Sequence, residues 1–291
     1  MKKVFLILVL LTQHQLFSQE KSSHNYYWRN EENAKAIIGV TNCYVRDSPS
    51  TKAILLDSLQ IGKEITVLKS TDIDYTINGV TVSWVEIEYK NKLGTISKGY
   101  LWKGFLALGY TKKKGLTFLT TIDKFEIRKT DSLNLFSITA KVLNEKNAFL
   151  DHKTFQESLG ESSYFQNNII AGLGLKNITD IYRISFDGEA CGIPSLFYYF
   201  AWNGSKIIQL PGRIGAADGG IYFHTENFIF PKEKGGKPDV IIKTFNEGEV
   251  VDEESINPIF DIKEWQEIYK WNGEKAIFSE KSKVKKYRRK M

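Results

Sequence analysis

From Ala34 onward the chain is a succession of short apolar runs broken by turn residues, and none carries a sustained helical repeat. This constrains the fold most, because side chains alternating with period two fit a strand with one wet face, whereas a helix needs apolar positions every three to four residues. In Trp84–Tyr89 (WVEIEY), Val85, Ile87 and Tyr89 alternate with Glu86 and Glu88. Ile37–Val40 and Glu64–Lys69 read as strands before it, and Leu116–Ile122, Leu135–Leu143, Asn177–Phe186, Leu196–Trp202, Gly220–Phe230 and Asp239–Phe245 after it. The best helical spacing, Ile262–Lys270, is short. The expected class is all-β: a small barrel first, then a larger antiparallel β domain, propeller-like or a sandwich.

Four to five strands within residues 34–109 fit a small barrel, since a flat sheet of that size leaves its edges open. Residues 41–68 (TNCYVRDSPSTKAILLDSLQIGKEITVL) carry a strand, an Arg, a Ser-Pro-Ser loop and a Gly-Lys turn. Trp84, Gly99-Tyr100-Leu101-Trp102 and Gly104-Phe105-Leu106 follow in order. Together these segments, spanning roughly residues 37–108, resemble the bacterial SH3 (SH3b) family. The departures are Cys43, where a branched aliphatic is usual, and an insert around Thr71–Val82 that enlarges a loop. The resemblance implies an SH3-like barrel recognising a cell-envelope ligand, peptidoglycan or peptide. Tyr44, Trp84, Tyr100 and Trp102 would supply aromatic anchors, with Arg46 and Asp47 as polar partners.

Tyr110–Gly115 (YTKKKG) reads as a charged joint, placing the second domain at 110–279. Two hairpins there look alike: YFAWNGSK at Tyr199–Lys206 and YKWNGEK at Tyr269–Lys275. Asn-Gly at each predicts a two-residue turn with positive φ at both positions. Trp202 and Trp271 set a repeat of about 69 residues, longer than a usual propeller blade of ~40–50, and a fainter copy falls near Leu135–Leu150.

Residues 1–18 read as an export signal: Lys2-Lys3, the apolar run Val4–Leu11, then a polar break and Leu16-Phe17-Ser18 at a cleavage point. The run is too short to span a bilayer, and no Cys stands near the cleavage point. Residues 19–33 read as a polar linker. The expected home is therefore periplasmic or extracellular, with no membrane span after cleavage. Cys43 and Cys191 are expected to be two separate buried thiols, with an inter-domain disulfide as the alternative. At the other end, Ser279–Met291 holds seven Lys or Arg and one Glu, which accounts for the whole formal charge of +6. A basic face for nucleic acid is thus not expected, and 280–291 reads as a solvated tail.

Two alternatives to this binding role stand: a cysteine hydrolase using Cys191 and His224, and an interaction scaffold in which the second β domain carries the function and the SH3b unit holds no ligand. Cell-wall amidases often accompany SH3b modules, but the bulky run after Cys191 suits a strand rather than the helix start that activates a thiol. His24, His152 and His224 show no metal-ligand spacing, and Glu247–Glu254 lacks the pattern of a calcium loop. Gly172–Asn177 half-matches a dinucleotide fingerprint and Ser282–Lys285 a Ser-x-x-Lys pattern, each without its context. Asp187, Glu189, Asp218 and Glu226 offer a weak glycosidase-like acid pair. Neither catalytic residue, cofactor nor metal is expected.

Overall fold

A computed structural model describes residues 23–29, 32–160, 163–188, 191–251 and 258–290. The expected leader and its expected cleavage point lie outside the described residues, as does Glu189. The described chain is all-β, its helical content being two single 3-10 turns, Asn25–Tyr27 and Lys103–Phe105.

The first sheet holds β1 (Ala34–Ile37), β2 (Asn42–Arg46), β3 (Leu55–Gln60), β4 (Glu64–Ile77), β5 (Val80–Lys90) and β6 (Ile96–Trp102). Its order is β1-β4-β5-β6-β2-β3, all antiparallel, and it curves as a half-barrel. β5 buries Val85, Ile87 and Tyr89 as its alternation requires. The Thr71–Val82 insert is not a loop: it lengthens β4 and β5 into one long hairpin. Its turn, Asn78-Gly79, has φ of 50° and 81°, the doubly positive geometry that matches hairpin twist.

A second sheet is a meander of β7 (Gly109–Lys113), β8 (Leu116–Arg128), β9 (Leu133–Leu143) and β10 (Phe149–Glu157). The expected joint at Tyr110–Gly115 is therefore β7 and its turn into β8. Its lysines are held from both sides: Lys112 by Glu64 and Lys113 by Asp180.

The third sheet takes the rest: β11 (Ser163–Ala171), β12 (Asp180–Gly188), β13 (Ser195–Trp202), β14 (Ile207–Gln209), β15 (Arg213–Asp218), β16 (Tyr222–Ile229), β17 (Val240–Val250), β18 (Ile259–Trp271), β19 (Ala276–Lys281) and β20 (Lys285–Lys290). Phe118, Ala140 and Val142 of the second sheet meet Tyr182, Ile184, Phe200 and Trp202 of the third in one core. The other face of β12 and β13 buries Ile181, Tyr199 and Ala201 against Phe230, Ile241 and Trp271. These two strands are covered on both faces, which is why their apolar runs are nearly continuous.

Ile262–Lys270 lies inside β18, where Ile262 and Ile268 project to one face and Trp265 and Tyr269 to the other. The Asn203-Gly204 and Asn272-Gly273 turns differ from expectation, because only the glycines take positive φ, 97° and 95°. Each Asn keeps ordinary φ and closes the turn with its side chain: Asn203 Oδ1 accepts from Ser205 and Lys206 N–H, and Asn272 Oδ1 from Glu274 and Lys275. Asn144 does the same with Lys146 and Ala148, at the fainter third copy. A short polar side chain acting locally has displaced the strained backbone.

Both chain ends depart from the sequence reading. Within the expected linker, His24, Tyr27 and Trp28 are buried. His24 and Thr81 exchange two hydrogen bonds (2.7 and 3.0 Å), Trp28 Nε1 donates to Leu106 O, and Tyr27 stacks edge-on against Phe136 of β9. Large aromatics were hidden there in a polar context. The basic tail is not a frayed end but β20, paired with Ile259–Glu264 of β18. Arg288 meets Asp261 and Tyr287 donates to Glu264, so carboxylates of β18 anchor it.

Candidate functional site

Alternation in β2 turns Cys43 and Val45 inward and leaves Tyr44 47% exposed. Arg46 pairs with Tyr100, the one register pair joining β2 to β6, and its Nη1 donates to Ala53 O at 2.7 Å. Asp47 Oδ1 accepts from Ile54 N–H and from the Ser48 hydroxyl, both at 3.1 Å. These two side chains hold the Ser-Pro-Ser loop shut. The loop in turn presents Ile54, Leu55 and Leu56, all exposed, at the start of β3. β3 pairs only with β2, so its outer backbone row is open along this apolar stretch. The sequence reading passed over Ile54–Leu56, since an apolar triplet says strand without saying which edge it occupies.

Trp84 and Trp102 are not groove residues. They are 3% and 4% exposed and stand opposite each other across β5 and β6. Trp102 Nε1 donates to Tyr75 O (2.8 Å) and Val82 O (3.2 Å), Tyr75 packs on Trp84, and Phe105 meets Trp102 edge-on. Tyr75 and Val82 belong to the inserted hairpin, so the insert covers the two rings. Tyr100 is half-buried. Of the six expected contacts, Tyr44 and Asp47 are exposed, and Tyr44 is the only exposed aromatic.

Cys191 and His224 line one cavity of about 460 Å³, with Ile193, Ser195 and Phe223. Cys191 is exposed and unpaired, which corrects its expected burial. The imidazole, however, is held at both nitrogens: Nε2 lies 3.2 Å from Glu226 Oε1 and Nδ1 lies 3.5 Å from Glu247 Oε2. A base that activates a thiol keeps one nitrogen directed at the sulfur. Glu226 accepts from Ile214 N–H and pairs with Lys243 at 2.7 Å, both side chains nearly buried. The Glu247 carboxyl is held below its ordinary range, chiefly by its hydrogen bond to Lys263; burial opposes this, and the Lys263 charge and the hydrogen bond and charge of His224 add to the lowering. Phe245 and Trp265 stack beside them at 4.6 Å. This is a charge-matched lattice across β16, β17 and β18, with each cation facing an anion. Asp218 is exposed at the end of β15, whereas Glu226 is buried within β16 and engaged by Lys243. Among the described residues no cluster of His, Cys, Asp and Glu could hold a metal.

Fold and surface together define an all-β protein that presents an open apolar strand edge. No family model, curated protein or solved structure matches the chain.

Proposed function

We propose that this chain is an exported binding protein whose SH3-like unit receives an extended peptide, such as the peptide part of a cell-wall polymer, along β3. The observation that carries this reading is the β3 edge itself. An unpaired strand edge is a template for another extended chain, and folded proteins normally protect it with charge, proline or a cover. The far edge of the third sheet follows that rule at β20, where five of six residues are Lys or Arg. Ile54-Leu55-Leu56 is unprotected and flanked by Tyr44. Covering each such aliphatic side chain contributes about 1.5–3 kcal/mol, enough to favour a function that covers them.

Binding of the full-length chain to purified cell-wall sacculi, and to peptides released from them, tests this. Leu55→Lys and Tyr44→Ala are expected to weaken binding about tenfold or more while leaving the melting temperature unchanged. Trp102→Ala is expected instead to cost about 3–5 kcal/mol of stability, as removal of a buried ring does. Retention of full binding by Leu55→Lys would sink the proposal.

The hydrolase reading draws on one observation, the cavity shared by Cys191 and His224. With both imidazole nitrogens on carboxylates, we infer that the cavity performs no thiol chemistry. Cys191→Ala is expected to leave a wall-lysis assay unaltered.

A further inference from the structure

Where β3, β5 and the β9–β10 turn converge, a second cleft of about 410 Å³ opens. Lys63, Lys90, Lys92 and Lys146 line it from three separate segments, with Asn91, Asn147, Gln60 and Ser58 between them. Its one carboxylate, Asp57, accepts from the neighbouring Ser58 N–H. None of the four lysines has an ion-pair partner among the described residues, whereas Lys112, Lys113, Lys141, Lys243 and Lys263 each face a carboxylate. Glu145, on the same turn as Lys146, lies by Gly115 and does not line the cleft. Four ammonium groups thus share one cleft with a single carboxylate.

A second, independent feature adjoins it. The β5–β6 turn projects Leu93, 89% exposed, and Ile96, 72% exposed. The turn is built rather than frayed: Asn91 Oδ1 accepts from Leu93 and Thr95 N–H, Asn91 Nδ2 donates to Ser97, and Asn91 and Thr95 are joined through backbone. Residues 90–98 (KNKLGTISK) contain three lysines and no carboxylate. Protruding aliphatic tips ringed by unpaired ammonium groups on flexible stems suit the boundary of a bilayer. Apolar tips enter the acyl margin there, and lysines reach back to headgroup phosphates.

We infer that the β5–β6 turn and its lysine cleft form a docking surface for an anionic phospholipid membrane. The cleft's lining along β3, Asp57–Gln60, follows directly on Ile54–Leu56, and the docking surface rests on the lysines and the turn rather than on the peptide edge. Local charge complementarity and the exposed Leu93 and Ile96 together select a lipid surface over a soluble anion, which has no use for the aliphatic pair.

Co-sedimentation of the full-length chain with vesicles tests it, using phosphatidylcholine alone against an equimolar mixture with phosphatidylglycerol. Binding to the mixed vesicles only is expected. The pair Lys90→Ala with Lys92→Ala is expected to weaken it about thirtyfold, given the usual contribution of a lysine near an anionic surface. Leu93→Ser is expected to abolish the part of binding that survives high salt. All three positions are exposed, so folding is preserved, and circular dichroism checks this. The inference is overturned if no vesicle binds or if Lys129→Ala with Lys234→Ala weakens binding equally. It is also overturned if glycerol phosphate displaces the chain while Leu93→Ser changes nothing, which assigns the cleft to a free anion. Unaltered sacculus binding by the Lys90/Lys92 variant is expected and separates this surface from the β3 edge.

Discussion

Cys43 has no accessible surface, and burial alone pushes its thiol well above the ordinary range. The folded state therefore keeps a proton that the unfolded chain releases above a pKa of about 8.5. By linkage, the stability this residue contributes is fully present below that pH and declines as pH rises beyond it, by up to about 1.4 kcal/mol per pH unit. Urea midpoints at pH 7 and pH 9.5 are expected to fall for the wild type. Cys43→Val, which fills the site with the branched aliphatic usual in SH3b sequences, is expected to flatten the change. An equal fall in both proteins would remove Cys43 as the cause. Cys191 stands exposed in a turn. Both cysteines looked alike in sequence, each beside apolar residues; their difference arises from what the third dimension places over them.

At the scale of elements, the tail shows how composition conceals structure. Seven basic residues near the terminus read as solvated, yet β20 and its neighbour β19 complete the edge beside β18. A strand edge bearing Lys and Arg at successive positions resists pairing with another molecule. Truncation after Ser282 is expected to uncover Ile259–Glu264 of β18 and produce concentration-dependent association, measured by light scattering. A truncated chain as monodisperse as the full one would refute edge protection. Strand identity was legible wherever apolar residues ran or alternated, as in β5, β8, β9, β12, β13, β16 and β17. It was not legible in β7, β10 and β20, whose side chains are largely polar, nor in β11, where Gln166-Asn167-Asn168 interrupts the apolar pattern. The candidate site was legible in part. Tyr44 was found because it follows a recognisable strand, whereas Ile54–Leu56 went unnoticed because edge position is a property of the sheet order.

For the whole molecule, the sheets are not independent. Trp84, Trp102, Val80 and Leu106 share one core with Ile122, Phe136, Ile138, Leu159 and Phe186, and Tyr27 and Trp28 lie within it. Removing one partner would expose the other's apolar surface at about 25 cal/mol per Å². Residues 34–109 expressed alone are thus expected to lack a cooperative thermal transition, and the full chain is expected to unfold in a single one. Calorimetry showing a cooperative melt of the fragment at the full-length midpoint would contradict this.

The amino-acid sequence by itself determined the all-β class, most strand positions and the turn sites, because alternation and Asn-Gly chemistry act over a few residues. It also set the total charge. Only the tertiary structure decided which aromatics are covered, which strand edge stays open, which lysines lack partners and how both ends are used. Burial, edge position and ion pairing all depend on contacts between residues far apart in the chain.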